Sequence, residues 1–172
     1  MNSWFIYLLL LASVAPAQRP DTAWFSATLP LVVRAAESDA RSQAYPGSGR
    51  GPLMLDVNEL SRLGTKATGQ RISRNQVLRA VASRFRESPR GQGIQCTGDS
   101  TGHACWVRDD GVFVQIDSLV RTGDRVRAGV TTVTTERVDA GRPGTCHRTL
   151  LITIARSEGV WRLTDTTLWA TC

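Results

Sequence analysis

The chain has 172 residues and a formal net charge of +6, with 41% hydrophobic and 21% charged residues. That length and balance fit one globular domain, and the absence of internal repeats and of long low-complexity tracts excludes solenoid and fibrous classes. Lys66 is the only lysine, so arginine carries the basic excess.

Trp4 to Ala12 forms an apolar run, followed by the small-x-small tripeptide Ala15-Pro16-Ala17 and the polar Gln18-Arg19-Pro20-Asp21. This order predicts a secretory signal peptide over residues 1–17, with residues 18–172 as a single mature domain. The run is far shorter than the ~20 residues of a spanning helix. No Lys or Arg precedes it, and an uncleaved N-terminal anchor is the alternative. Contact with a membrane is expected only through this segment, and the expected location is secreted or periplasmic. Cys96, Cys105, Cys146 and Cys172 all lie in the mature part, where an exported chain oxidises them to two disulfides. Their spacing matches no paired C-x-x-C ribbon, so no metal and no cofactor is expected.

In chain order, Asp21 reads as an N-cap and Thr22 to Arg41 as a helix that Pro30 should kink or split. Gln43 to Pro52 is a loop by composition, and Leu53 to Val57 suits a strand. A short helical turn from Glu59 to Leu63 and a loop over Gly64 to Gly69 follow. Ser73 and Gln76 form a capping box, with Ile72 set to staple onto Val77, which predicts an amphipathic helix over Ser73 to Arg86.

After Gly93 the pattern changes from helical period to alternation. Val112, Val114, Ile116 and Val120 make one strand run, Val126 to Thr132 a second, and Leu150, Ile152 and Ile154 a third. Asp110-Gly111, Thr122-Gly123-Asp124, Gly141 to Gly144 and Glu158-Gly159 read as turns. The fold class is therefore α+β: two or three N-terminal helices packed on a curved antiparallel sheet of four to six strands, stapled by disulfides.

A two-residue turn at Glu158-Gly159 sets Ile154 opposite Leu163 on the buried side. Leu168, Ala170 and Cys172 then have the wrong parity, and one bulge within Thr164 to Thr167 repairs it. Beyond the bulge Leu150 faces Leu168 and Cys146 faces Cys172. The expected bridges are Cys146–Cys172 and Cys96–Cys105.

Gly98-Asp99-Ser100-Thr101-Gly102 fits the G-x-S-x-G pattern, and the segment from Cys96 resembles the surroundings of the reactive serine in trypsin-like proteases. Ser100 is nevertheless expected to sit in a disulfide-closed turn, because strand and turn residues, not a helix, follow it. His103 and His147 are further candidates for a base or ligand, with an exposed loop and a strand position as their plainer settings. Asp109-Asp110 suits a turn, and Trp106, Trp161 and Trp169 suit packing or a ligand platform. The arginines of residues 62–90 offer a surface for an anionic polymer. They do not form the single face with interleaved aromatics that specific nucleic-acid binding requires.

Gly159-Val160-Trp161-Arg162-Leu163, after a long apolar strand, resembles the ending common in SnoaL-like domains of the nuclear-transport-factor-two-like superfamily. The order of helices first and long antiparallel strands afterwards is similar too. The resemblance implies a cone in which a bent sheet wraps a helix and leaves a pocket, used for isomerase, cyclase or dehydratase chemistry or for plain binding. No catalytic residue carries over onto a matching position. The expected function is that of an exported, non-enzymatic accessory domain for an unknown small ligand or protein partner. A SnoaL-like pocket enzyme and an arginine-mediated binder of an anionic polymer or surface are the alternatives.

Overall fold

The structure, a computed structural model, describes residues 21–44, 46, 48–81, 84–89, 92–99, 102–138 and 142–171, with 98, 99, 102, 103, 137, 138 and 142 described by backbone alone. Helix α1, Ala23–Gln43, has Thr22 and not the expected Asp21 at its N-cap position, although the Asp21 carboxylate still accepts from the Ala23 amide at 3.0 Å. It buries Trp24, Phe25, Leu29, Val32, Val33 and Ala36 along one side, the spacing of an amphipathic helix. Pro30 does not split it. The carbonyl that loses its amide partner there belongs to Ser26, an exposed residue where water can take the bond.

Strand β1 is Leu53–Leu55 rather than 53–57, because Asp56 leaves it to cap helix α2, Val57–Thr68, accepting from the Asn58 and Glu59 amides. The short turn and the loop expected over 59–69 are thus corrected to one helix. Gly64 reads as a breaker, yet it sits inside α2 because the Phe25 ring occupies its side-chain space: a Cβ there would lie 2.6 Å from the ring. Thr65 and Thr68 turn their hydroxyls back to the Ser61 and Gly64 carbonyls. Gly69 then closes the helix in the left-handed region.

The expected capping box of Ser73 and Gln76 is present, but helix α3 spans only Arg74–Ala80. Arg86–Glu87 instead forms strand β2, parallel to β1. The free edge of β1 offers these residues backbone partners that a further helical turn would have to find in its own sequence, and the Ser88 amide completes the exchange with the Leu55 carbonyl.

The six-stranded sheet runs β2-β1-β5-β6-β7-β8, with β5 Val112–Thr122, β6 Arg125–Val138, β7 Arg142–Ser157 and β8 Val160–Ala170. Those last four strands are antiparallel, as their alternation predicts. β1 joins β5 in parallel, which makes the whole sheet mixed. The three helices cover the inner face. On the outer face lies a separate hairpin of β3, Ile94–Asp99, and β4, Gly102–Val107, where Val107 packs with Met54, Phe113 and Val133.

The Cys96–Cys105 disulfide joins opposite residues of that hairpin. Asp109 and Asp110 form the expected turn, both with positive φ. Arg142, Pro143 and Gly144, expected in a turn, are already part of β7, opposite 136–138. The connection itself, 139–141, lies outside the described residues.

In the last hairpin Glu158 and Gly159 both have positive φ, the two-residue turn that the right-handed strand twist favours. Ile154 pairs with Leu163, Thr164 is the extra residue of a bulge, and Leu150 pairs with Leu168. Two details depart from expectation. Leu163 and Leu168 share the inner face with Ile154 and Leu150, yet each is 45% exposed, because among the described residues no strand adjoins the far side of β8. A second shift, at Trp169, sets Ala170 opposite Thr149 and so moves the register in which Cys146 would face Cys172 by one residue.

Cys146 is disulfide-bonded, while Cys172 lies outside the described residues. Cys146–Cys172 therefore remains our expectation for the second bridge. Proteolysis of the non-reduced protein should release the peptides of Cys146 and Cys172 as one linked species; recovery of Cys146 linked to Cys96 or Cys105 would overturn both pairings.

Candidate functional site

The residues singled out in the sequence do not assemble. Ser100 lies outside the described residues. His103 stands on β4 opposite Gly98, with only its backbone described. His147 is exposed on the outer face of β7, its Nε2 3.3 Å from the Thr145 hydroxyl. Among the described residues no group of three His, Cys, Asp or Glu is placed to hold a metal. Trp161 serves packing: the Arg121 guanidinium sits 5.8 Å from its centroid and equally far from that of Trp24, and it also pairs with Asp21 at 3.2 Å. Within the arginine-rich segment, Arg62, Arg74 and Arg86 are bound by Glu59, Glu87 and Asp109. Each of these guanidiniums thus already faces a carboxylate, and the hydrogen bond and charge of Glu59 push the Arg62 pKa up.

Over β6 and β7 the inner face is closed by packing, while an opening of about 320 Å³ remains between α2 and β5, lined by Leu63, Lys66, Leu119 and Arg121 among others. Leu150, Ile152 and Ile154 of β7 and Val126, Ala128 and Val130 of β6 are buried in one cluster with the apolar side of α1. Another opening lies on the opposite, outer face. There a cleft of about 380 Å³ runs across the sheet, lined by Asp117, Ser118, Gly129, Thr149, Leu151 and Trp169, with Leu150 and Thr167 beside them.

Its geometry follows from the registers. Ser118, Gly129, Leu151 and Thr167 are successive cross-strand partners on β5, β6, β7 and β8, a row that spans roughly 14 Å at the usual strand spacing. Each end of the row carries a bulge. On β5 Asp117 is the extra residue, between Ile116 opposite Val130 and Ser118 opposite Gly129; its carboxylate accepts from the Gln115 amide group at 2.5 Å and the Thr131 hydroxyl at 2.7 Å. On β8 the extra residue is Trp169, 83% exposed.

Gly129 forms the floor. A Cβ there would lie 2.7 Å from Ser118 Oγ, the atom to which the Gly129 amide donates, so the missing side chain both lets the strands approach and leaves the space above it open. No protein family, curated protein or solved structure matches this chain. Function must therefore be argued from the site, since a fold alone does not assign one.

Beyond the cleft the outer face turns basic. The next row places Arg127 opposite Val120 and Thr153, and the row after it places Arg125 opposite Thr122 and Ala155. These arginines line a neighbouring depression of about 290 Å³ with Val120 and Thr122. Among the described residues neither has an ion-pair partner. Sequence reasoning missed this site, because its residues are scattered over four strands. Two signals were present: Trp169, already a candidate for a ligand platform, lines the cleft, and Gly129 interrupts an otherwise alternating strand, the mark of a bulge or a close approach.

Proposed function

We propose that the protein is an exported, non-enzymatic binding domain, and that its outer-face cleft takes an anionic amphiphile. The observation that carries this reading is the cleft itself: Leu151 and the exposed Trp169 offer apolar surface, and Arg127 and Arg125 follow within the next two rows along the strands. An apolar body laid on the first and an acidic group set at the second would satisfy both. Export is supported by the apolar leader and by paired cysteines. The SnoaL-like resemblance is part of the proposal, supported by the order of one long helix, then long antiparallel strands, then Gly159-Val160-Trp161-Arg162-Leu163. An enzymatic version would need a titratable group free to move a proton. The carboxylate in this cleft, Asp117, already holds Gln115 and Thr131.

The test uses 8-anilinonaphthalene-1-sulfonate, an aromatic anion, and N-phenyl-1-naphthylamine, its uncharged counterpart. The sulfonate should bind saturably at one site per chain and the amine less tightly. Trp169→Ala should weaken binding of both probes on the order of tenfold, and Arg127→Gln should weaken only the sulfonate. Absence of saturable binding, or equal loss of both probes in Arg127→Gln, would refute the assignment.

A further inference from the structure

We infer that two copies of this chain pair through β8, edge to edge and antiparallel, about a two-fold axis beside Thr164. β8 is the last described strand of the sheet, and among the described residues no strand pairs with its far side over its eleven residues. Such an edge is a template for another strand. Its side chains are not those of a protected edge: Val160, Leu163 and Leu168 are exposed, and the strand has no lysine and no proline.

The bulge selects the partner and the register. Residues opposite each other across a new strand pair must share a face of the sheet. The pairing with β7 puts Trp161, Leu163, Thr166 and Leu168 on the inner face and Val160, Arg162, Asp165 and Thr167 on the outer. The face changes parity at Thr164, whose hydroxyl is tied to the Thr153 carbonyl at 3.1 Å. A regular foreign strand laid along this edge would match faces on one side of the bulge and mismatch them on the other. A second β8, with the same bulge in reversed direction, matches on both sides.

Among the registers that meet this condition, one sets Arg162 opposite Asp165 of the second copy, and by symmetry Asp165 opposite its Arg162. Val160 then faces Thr167 and Trp161 faces Thr166, outer with outer and inner with inner. The two charges of β8 are thus self-complementary. Within the chain neither has an ion-pair partner among the described residues; the Asp165 carboxylate accepts from Thr167 alone. The same register brings the two Leu163 side chains beside the axis, which covers part of their exposed surface. The dimer joins two sheets into one without covering the cleft floor at Gly129 and Leu151, and it does not depend on the ligand proposed above.

Sedimentation velocity of the oxidised protein over a wide concentration range provides the test. The wild-type chain is expected to show a reversible monomer–dimer equilibrium. Arg162→Asp and Asp165→Arg should each raise the dimer dissociation constant on the order of tenfold, since each replaces two cross-strand attractions by repulsions. The double reversal R162D/D165R restores both pairs and should return the wild-type constant, which also shows that the reversals act through pairing rather than through misfolding. Hydrogen exchange should slow in β8 as concentration rises. A monomer at every concentration, an open-ended series of oligomers, or a dimer that the double reversal fails to restore would overturn the inference.

Discussion

Phe25→Ala is expected to lower the unfolding free energy by about 3–5 kcal/mol, the largest effect of any single side-chain truncation we foresee. The ring is 1% exposed and meets Trp24 edge to face at a centroid distance of 6.2 Å. It also fills the notch left by Gly64, so its loss opens a cavity between α1 and α2 that neither helix backbone can collapse to fill. The reciprocal substitution separates packing from mere hydrophobicity. Gly64→Ala alone forces a methyl group toward the ring and should cost about 1–3 kcal/mol. In the Phe25→Ala background the same change should cost nothing or stabilise, because only the Ile72 side chain, 3.2 Å from the added carbon, then has to give way slightly, and Ala favours a helix over Gly by about 1 kcal/mol. Urea unfolding of the four proteins measures this coupling directly. Additive effects of the two substitutions would refute the notch.

Gly51→Ala should cost about 3 kcal/mol, although Gly51 lies in a loop. A Cβ on Gly51 would sit 1.9 Å from the Asp109 carbonyl oxygen. Neither side can retreat. The Gly51 amide donates to the Asp110 carbonyl at 3.0 Å and its own carbonyl accepts from Arg41 at 3.1 Å, while Asp109 and Asp110 are both held at positive φ. Gly69→Ala is the control: its φ is +68° but nothing lies within 4 Å of the added carbon, so only the backbone conformation resists, at about 1 kcal/mol. Thermal unfolding should rank Gly51→Ala well below Gly69→Ala. Equal midpoints would mean that the loop and the turn are not clamped together.

Several parts of the molecule were legible before any coordinates. Ser73 and Gln76 cap α3 because a capping box is a local device whose partners lie three residues apart. The bulge at Thr164 was legible too, since alternation on β8 changes parity and a two-residue turn pins the register at the other end. Less local features misread. Gly64 looks like a helix stop until Phe25, 39 residues away in a different helix, accounts for it. Arg86 looks like the tail of α3 until the edge of β1 claims it.

Neighbouring residues alone settle the α+β division, the alternation of the long strands, the capping box at Ser73 and the turns at Thr122-Gly123-Asp124 and Glu158-Gly159. Where the outer-face cleft lies depends on tertiary structure. Asp117, Gly129, Leu151 and Trp169 belong to four different strands, and nothing in any one strand marks them as companions. Cross-strand register and two bulges bring them to one cleft. Register is a property of pairs of strands, and a slip of one residue in a strand moves its side chains to the other face.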